Sequence, residues 1–173
     1  ASDVYKRQEY AGSETAKIHL SNKEIRQALK DYPYHNIKQV GKTGAGSQLA
    51  CYSKFPILSA RMLDYRSNYN GSMVYEIKIG KDTVLLINNH LESNKLTRED
   101  KVVYEDMLKD PKAGKVKSGV RQLVNKLAEA SAIRSAQART IAQEIAHSPY
   151  PSVIVCGDFN DSPISYAHRV ISV

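Results

Sequence analysis

The apolar run from Val153 to Cys156 constrains the fold more than any other stretch of the sequence. Four consecutive apolar residues lack the alternation of a strand with one solvent-exposed face, so they predict a short strand that is buried on both faces of a packed sheet. Gly157 then lets the chain turn, and three polar residues follow closely: Asp158, Asn160 and Asp161. We therefore expect an α/β sheet with a carboxylate and an amide at one edge, where α/β proteins usually place their chemistry.

Ser162 and Pro163 directly follow this stretch and are typical of a helix start. Serine accepts hydrogen bonds from the free N–H groups of a first helical turn, and proline at the first helical position has no N–H to leave unpaired. Asp and Asn are also common in ordinary turns. Taken alone, the stretch is equally compatible with a site and with a simple strand-to-helix turn.

A second stretch of the same shape is Thr83–Leu91, which has an apolar body and ends in Asn88, Asn89 and His90. A lone histidine at a strand end is more often a hydrogen-bonded structural residue than a catalyst. Here, however, two buried strands both end in polar residues. An imidazole, an amide and a carboxylate at one sheet edge are the groups expected for phosphoryl or acyl transfer.

Four segments together carry a family resemblance. Asn88–Ser93 (NNHLES) and Val153–Ser165 (VIVCGDFNDSPIS) resemble two signature segments of the endonuclease/exonuclease/phosphatase superfamily. Gln8-Glu9 resembles the family's Gln-Glu step, and Ser47–Ser59 (SQLACYSKFPILS) resembles its strand with a Ser-Lys-x-Pro-Ile turn. The segments occur in the family's order along nearly the whole chain.

The resemblance implies a divalent-metal-dependent phosphodiesterase in which Glu9 binds Mg²⁺ or Mn²⁺, cations that prefer hard oxygen ligands. Asp158 would orient or deprotonate the attacking water. Asn160 and His90 would contact the non-bridging oxygens of the scissile phosphate. These roles match what a phosphodiester requires of a catalyst, namely neutralised charge, a positioned water and a stabilised leaving oxygen.

The resemblance also implies the fold, a four-layer α-β-β-α sandwich of two packed mixed sheets with outer helices. We expect one domain over residues 1–173, incomplete at both ends, and residues 1–7 do not fit the family pattern. The family's early metal-binding asparagine and late Ser-Asp-His segment are not found in the sequence. His168 does not replace that histidine, because it belongs to the helix after Asn160. We therefore expect little activity from these residues alone and activity from the whole protein.

Other elements follow from periodicity and capping. Ser21–Tyr32 is predicted to be a helix, opened by a capping box of Ser21 and Glu24 and ended by Pro33. Further helices are expected near Thr97–Leu108 and from about Val120 to Ala146. The longer one has an expected core-facing stripe of Leu123, Leu127, Ala130, Ile133 and Ala136. Strands are expected at residues 37–40, 49–52, 59–65 and 72–79, with the last turning through Gly80-Lys81-Asp82 into an antiparallel partner.

Composition and cysteine positions indicate the general class of the protein. The 42% hydrophobic and 25% charged content is ordinary for a soluble globular protein, and neither a membrane-spanning run nor a signal peptide is evident. Cys51 and Cys156 lie in apolar strands, which predicts buried free thiols without a metal or a disulfide. We expect a monomer, and the sequence does not indicate a cellular location.

The net charge of +7 and a cluster of lysines at positions 109, 112, 115 and 117 are compatible with a polyanionic substrate such as nucleic acid or a phospholipid headgroup. A solvated loop explains the cluster equally well. Gly41–Gly46 (GKTGAG) is expected to be a hairpin loop rather than a phosphate cradle. Two alternatives stay open: a non-catalytic polyanion-binding or interaction module that keeps the fold, and an inositol-phosphate-type phosphomonoesterase.

Overall fold

The structure is a computed structural model that describes residues 4–7, 21–40, 48–65, 67, 69–109 and 116–172. Seven strands and four helices lie in these ranges. In chain order they are β1 (Val4–Arg7), α1 (Asn22–Ala28), β2 (Tyr34–Gln39), β3 (Gln48–Ser53), β4 (Ile57–Met62), β5 (Gly71–Ile79), β6 (Asp82–His90), α2 (Arg98–Lys109), α3 (Val116–Ala146), β7 (Ser152–Asp158) and α4 (Tyr166–Ile171).

The strands form two sheets, with strand orders β1-β3-β2 and β4-β5-β6-β7. The described pairs of the smaller sheet are antiparallel, whereas the larger sheet is mixed because β6 and β7 run parallel. The expected hairpin between β5 and β6 is confirmed, and Gly80 supplies the left-handed backbone of its turn with φ 61°. A parallel pair needs a long crossover connection, and α2 and α3 lie within it.

Three apolar clusters stack the layers and confirm the expected α/β sandwich. The central cluster lies between the two sheets and contains Val40, Leu49, Cys51, Met73, Tyr75, Ile77, Leu86 and Cys156. A second cluster packs α3 and α4 against the larger sheet through Leu63, Val74, Leu85, Ile87, Leu91, Ala138, Ile141, Ala167 and Ile171. A third packs Ile25 of α1 against Ala50 and Tyr52 of β3. Leu85 and Ile87 belong to the second cluster and Leu86 to the central one, and this apolar burial on both faces of β6 explains why its body is a continuous apolar run.

The sheets approach each other closely where Gly71 faces Val40. A Cβ added to Gly71 would lie 2.6 Å from the Cβ of Val40, which is nearer than real side-chain atoms come. Gly71 is also the residue paired with His90 across β5 and β6. The absence of a side chain at Gly71 therefore lets the two sheets meet beside the end of β6.

The predicted capping box of α1 is confirmed, but the predicted end of the helix at Tyr32 is wrong, because the helix ends at Ala28 with Leu29 as its C-cap. Ser21 Oγ accepts a hydrogen bond from the Glu24 backbone N–H, and the Glu24 carboxylate accepts one in return from the Ser21 N–H. The Ser21 hydroxyl, followed by the Ser21 N–H, lowers the pKa of Glu24 below its ordinary value.

Cys51 and Cys156 are buried free thiols as expected, and burial raises the pKa of Cys51 to about 12.

Two helix predictions are wrong in detail. The final helix begins at Tyr166 with Ser165 as its N-cap, not at Ser162-Pro163, since the chain first makes a turn in which the Ser165 N–H donates to the Ser162 carbonyl at 2.9 Å. The α3 stripe also differs. Leu123 and Ala130 are buried, but Leu127 and Ala136 are exposed, and the buried face continues through Arg134 and Gln137.

Several predictions fall where little is described. The described ranges leave out residues 1–3, 8–20, 41–47 and 110–115. Glu9, the glycine-rich turn, Lys112 and Lys115 are among these residues. The backbone of β1, which does not fit the family pattern, pairs with β3. The lysine cluster is not one loop, because Lys109 ends α2 and Lys117 lies in α3. Within the described part, we find no helix with the length and apolar character needed to traverse a bilayer.

Candidate active site

His90 and Asp158 are neighbours at the ends of two parallel strands. The register of β6 and β7 pairs Asn88 with Cys156, Asn89 with Gly157, and His90 with Asp158. Parallel strands present their carboxyl ends at the same sheet edge, so residues paired in register lie side by side there. The structure thus brings together the imidazole and the carboxylate that the sequence placed 68 positions apart.

Both residues are on the face of the larger sheet that packs against the smaller sheet. Side chains alternate along a strand, and Leu86 and Cys156 of the same faces belong to the central cluster. Asn88 and His90 follow Leu86 on that face, and Asp158 follows Cys156. His90 is 5% exposed, whereas Asp158 is exposed. The site therefore lies at the rim of the inter-sheet layer, with a buried imidazole beside a carboxylate that solvent reaches.

Gly157 allows β6 and β7 to approach just before Asp158. Its φ is +139°, and a Cβ at this position would lie 2.0 Å from the Asn89 carbonyl oxygen. An L side chain rarely adopts this backbone conformation, and the clash is with backbone rather than with a flexible side chain. Glycine is thus required at this point of the predicted signature segment.

Asn160 connects the loop after β7 to the residue that follows β6 through a hydrogen bond to Leu91. Its backbone is left-handed with φ 50°, a conformation that Asn tolerates, and its N–H donates to Asp158 Oδ1 at 2.8 Å. Its Nδ2 donates to the Leu91 carbonyl at 2.9 Å, while the Leu91 N–H donates to the Asp158 carbonyl at 2.9 Å. These reciprocal bonds fix Asn160 and Asp158 relative to the residue that follows His90.

A hydrogen-bond chain supports β6 from the helix side. The Tyr65 hydroxyl and Ser72 Oγ are 2.5 Å apart, Ser72 Oγ donates to Asn89 Oδ1 at 2.5 Å, and Asn89 Nδ2 donates to the Cys156 carbonyl at 3.2 Å. Burial raises the pKa of Tyr65, so the phenol stays neutral over the ordinary pH range. This series of hydrogen bonds links β5, β6 and β7 on the helix-facing side of the larger sheet, opposite the candidate site.

The sequence prediction missed Arg134 and Gln137, which are 4% and 1% exposed on the sheet-facing side of α3. Both hydrogen-bond to Glu92, which is 2% exposed and lies two residues after His90. The available signal was their spacing from Leu123 and Ala130, which continues the helical period through two polar positions. A buried polar residue is more informative about function than a buried apolar one.

A cleft of about 510 Å³ lies beside this network. It is lined by Tyr65, Ser67, Glu92 and Lys95 and by α3 residues that include Glu129 and Gln137. The Glu92 carboxylate accepts from Ser67 Oγ at 2.8 Å and pairs with Lys95 Nζ at 2.5 Å. His90, Asp158 and Asn160 do not line the cleft, so it lies next to the predicted catalytic residues rather than over them.

The metal prediction rests on Glu9, which lies outside the described residues. In the part of the chain that is described, no group of three or more His, Cys, Asp or Glu side chains could hold a metal ion. Mg²⁺ keeps several waters and binds through one or two carboxylates and the substrate's phosphate oxygens. The exposed Asp158 carboxylate, beside amide and imidazole groups, fits such a sparsely ligated hard cation and does not fit a zinc cage.

Comparison with known proteins defines the class. The endonuclease/exonuclease/phosphatase family model matches residues 8–172, so the chain belongs to this family. No curated protein sequence gives a significant match.

Solved structures with the same fold include sphingomyelinase C from Streptomyces griseocarneus (TM-score 0.59, 17% identity, 99% of this chain and 56% of that one). A beta toxin mutant from Staphylococcus aureus with bound magnesium ions matches with TM-score 0.56 and 16% identity over 87% of this chain and 51% of that one. D. rerio TDP2 complexed with a single-strand DNA product matches with TM-score 0.52 and 14% identity over 92% and 48%. The chain thus spans about half the length of these structures, and the likeness is one of fold.

Proposed function

We propose that the protein is a Mg²⁺- or Mn²⁺-dependent phosphodiesterase that hydrolyses a phosphodiester by attack of water, acting as a monomer. The observation that carries the proposal is the parallel register that pairs His90 with Asp158, together with the bonds that lock Asn160 onto Leu91. We propose that the carboxylate, the imidazole and the amide act on one phosphate at this sheet edge. Family membership supplies the reaction class.

Asp158 is the residue suited to the attacking water. Its Oδ1 is anchored by the Asn160 N–H, so the carboxylate holds a fixed direction at an exposed position. A carboxylate held in this way accepts a proton from water and orients the oxygen lone pair toward phosphorus. The left-handed turn at Asn160 is what makes the anchoring possible.

His90 and Asn160 are suited to the phosphate oxygens. A buried imidazole donates to an anionic oxygen in surroundings where competing water is scarce, which strengthens the interaction. The Asn160 amide has one N–H committed to Leu91, and this bond fixes the plane of the amide. A bound Mg²⁺ or Mn²⁺, which we propose Glu9 would hold, supplies neutralisation of the phosphate charge.

The proposed substrate class is a polyanionic or headgroup phosphodiester, namely nucleic acid or a phospholipid. The net charge of +7 favours association with polyanions. Two structural neighbours point to these two substrates, one by its DNA product and one by its name as a sphingomyelinase. Their identities of 14–17% do not decide between the substrates.

The test is hydrolysis by the full-length protein with Mg²⁺, with Mn²⁺ and with excess EDTA. Substrates are single-stranded DNA, sphingomyelin vesicles, bis(p-nitrophenyl) phosphate and the monoester p-nitrophenyl phosphate. We expect metal-dependent cleavage of a diester, reduced about 10²-fold or more by His90→Ala or Asp158→Asn. His147→Ala and Asp31→Asn replace exposed residues of the same types and serve as matched controls.

The competing functions predict other results. A preference for the monoester would support the phosphomonoesterase alternative. The positive charge also favours a non-catalytic polyanion-binding module, for which all variants would bind DNA or anionic vesicles equally and turn over none of the substrates. If His90→Ala and Asp158→Asn both kept wild-type turnover, the catalytic assignment would be wrong.

A further inference from the structure

Arg134 is buried in a position that the chemistry described above does not use. It lies on α3, the helix that connects the β6 side of the site to β7, and only 4% of it is exposed. Arginine is almost never buried to this extent unless its guanidinium is paired. Its partners therefore indicate what the burial achieves.

The guanidinium of Arg134 reaches both loops of the candidate site. Nη1 donates to the Glu92 carbonyl at 2.9 Å and to Asn94 Oδ1 at 2.8 Å, and both acceptors belong to the segment after β6. Nε forms an ion pair with Asp161 Oδ2 at 3.1 Å, and Asp161 belongs to the loop after β7. One planar group thus spans the two segments that follow the paired strand ends.

Gln137 reinforces the tie on the β6 side. It lies three residues after Arg134, one helical turn along the same face, and its Oε1 accepts from the Glu92 N–H at 2.9 Å. Both backbone polar groups of Glu92 are therefore held by α3. Because α3 itself is packed on the sheet through Ala138 and Ile141, the tie has a rigid base.

These contacts lie very close to the predicted catalytic groups along the chain. Glu92 is two residues after His90, and Asp161 directly follows Asn160. Leu91 already joins the two loops through its bonds to Asp158 and Asn160. A shift of either loop would change the separation of the imidazole, the carboxylate and the amide, and a misplacement near 1 Å can cost about 100-fold in rate.

We propose that Arg134 is a positioning residue. It fixes the loop after β6 relative to the loop after β7, so that His90, Asp158 and Asn160 contact the same phosphate. Its effect on turnover rests on the proposed phosphodiesterase function, whereas the coupling of the loops does not. A guanidinium is required because its rigid fork satisfies acceptors in separate directions, which the single ammonium group of lysine does not do.

Turnover gives the first test. We expect Arg134→Lys in the full-length protein to lower kcat about 100-fold with KM changed by less than about threefold, because loop geometry rather than substrate affinity is lost. Asp161→Asn removes only the ion pair and should lower kcat by a smaller factor. The two substitutions should be non-additive, since both remove the contact between Arg134 and Asp161. Arg139→Lys, at an exposed position of the same helix, is the matched control.

Amide hydrogen exchange gives the second test, which needs no activity. In Arg134→Lys and Asp161→Asn, the N–H groups of Leu91, Glu92 and Asn160 should lose protection about tenfold or more, while that of Ile87 in the core of β6 stays unchanged. Asp161→Asn replaces a partly exposed residue and keeps the test available if Arg134→Lys fails to fold.

The outcomes separate the two proposals. Equal loss of protection at Ile87 and in the loops would assign Arg134 a purely global role and overturn the proposal, as would unchanged loop protection. Selective loosening of the loops with unchanged kcat would also overturn it. Selective loosening in a protein that hydrolyses none of the phosphodiesters would leave the coupling of the loops intact and refute the proposed function instead.

Discussion

The two faces of β6 each bury an asparagine, and the two asparagines differ in their hydrogen bonding. Asn88 and Asn89 are adjacent and both are 0% exposed. Asn89 faces the helix layer, where its Oδ1 accepts from Ser72 and its Nδ2 donates to Cys156. Asn88 faces the inter-sheet layer, where neither of its amide atoms has a hydrogen-bond partner among the described residues.

The tyrosines of the two layers repeat this difference. The Tyr65 hydroxyl, on the helix side, is bonded to Ser72, whereas the Tyr75 hydroxyl, in the central cluster, has no partner in the described part of the chain. A buried polar group without a partner costs stability. At these positions the helix-side groups are hydrogen-bonded and support the sheet, whereas the Asn88 amide and the Tyr75 hydroxyl are expected to cost stability.

The largest expected effect on stability comes from Gly157. Its backbone lies against that of Asn89, and this contact holds β7 beside β6. Gly157→Ala should destabilise the protein by about 3 kcal/mol or more, because backbone strain adds to a clash with the Asn89 carbonyl. Gly80→Ala is the matched control, since Gly80 also has a positive φ but an added Cβ would meet nothing within 4 Å. It should cost about 1 kcal/mol. Equal midpoints of urea unfolding for the two variants would contradict the packing argument.

The pair Asn89→Ala and Asn88→Ala tests the comparison directly. Both remove the same atoms from fully buried positions of one strand, so the difference between them isolates the hydrogen bonds. We expect Asn89→Ala to be about 2 kcal/mol more destabilising, because Ser72 and Cys156 lose their partners. Urea unfolding of the two variants measures the difference. An equal loss would mean that the Asn88 amide is also satisfied.

How far the sequence predicts this arrangement differs between the two layers. The apolar runs with polar ends at His90 and Asp158 are visible as a local pattern, and the family resemblance predicts that they share one site. Their register is not local, because it depends on a crossover of more than sixty residues. The Ser162-Pro163 signal failed because the N-cap role was taken by Ser165 after an intervening turn.

Arg134 and Gln137 show why the supporting layer was harder to predict. The expected α3 stripe followed apolar residues through Ile133 and Ala136, whereas the buried face passes one position further along. Polar residues on a helix are ordinarily assigned to solvent, and their burial follows from partners in loops that are distant in sequence. Periodicity therefore identified the helix but not the face that supports the site.

A smaller effect is expected from the tyrosine pair. Tyr65→Phe removes a bonded hydroxyl and should cost about 1 kcal/mol, whereas Tyr75→Phe removes one with no partner among the described residues and should be neutral or slightly stabilising. Chemical unfolding at pH 7 measures both, and Tyr34→Phe at an exposed position is the control. A cost for Tyr75→Phe equal to that of Tyr65→Phe would remove the distinction between the layers.

The smallest effect appears only in alkali, where the two layers should behave alike. Burial raises the pKa of both Tyr65 and Tyr75, to which the Glu92 charge contributes for Tyr65 and the Cys51 and Cys156 thiols for Tyr75. An unfolded tyrosine ionises at a pH of about 10, so the stability that these neutral phenols contribute is complete below that pH and is lost as the pH rises further. Unfolding at pH 8, 10 and 11 should therefore show a shallower alkaline decline in Tyr65→Phe and in Tyr75→Phe than in the wild type. If the decline were as steep in the double variant, the loss would arise elsewhere, and the difference between the faces of β6 would rest on hydrogen bonding alone.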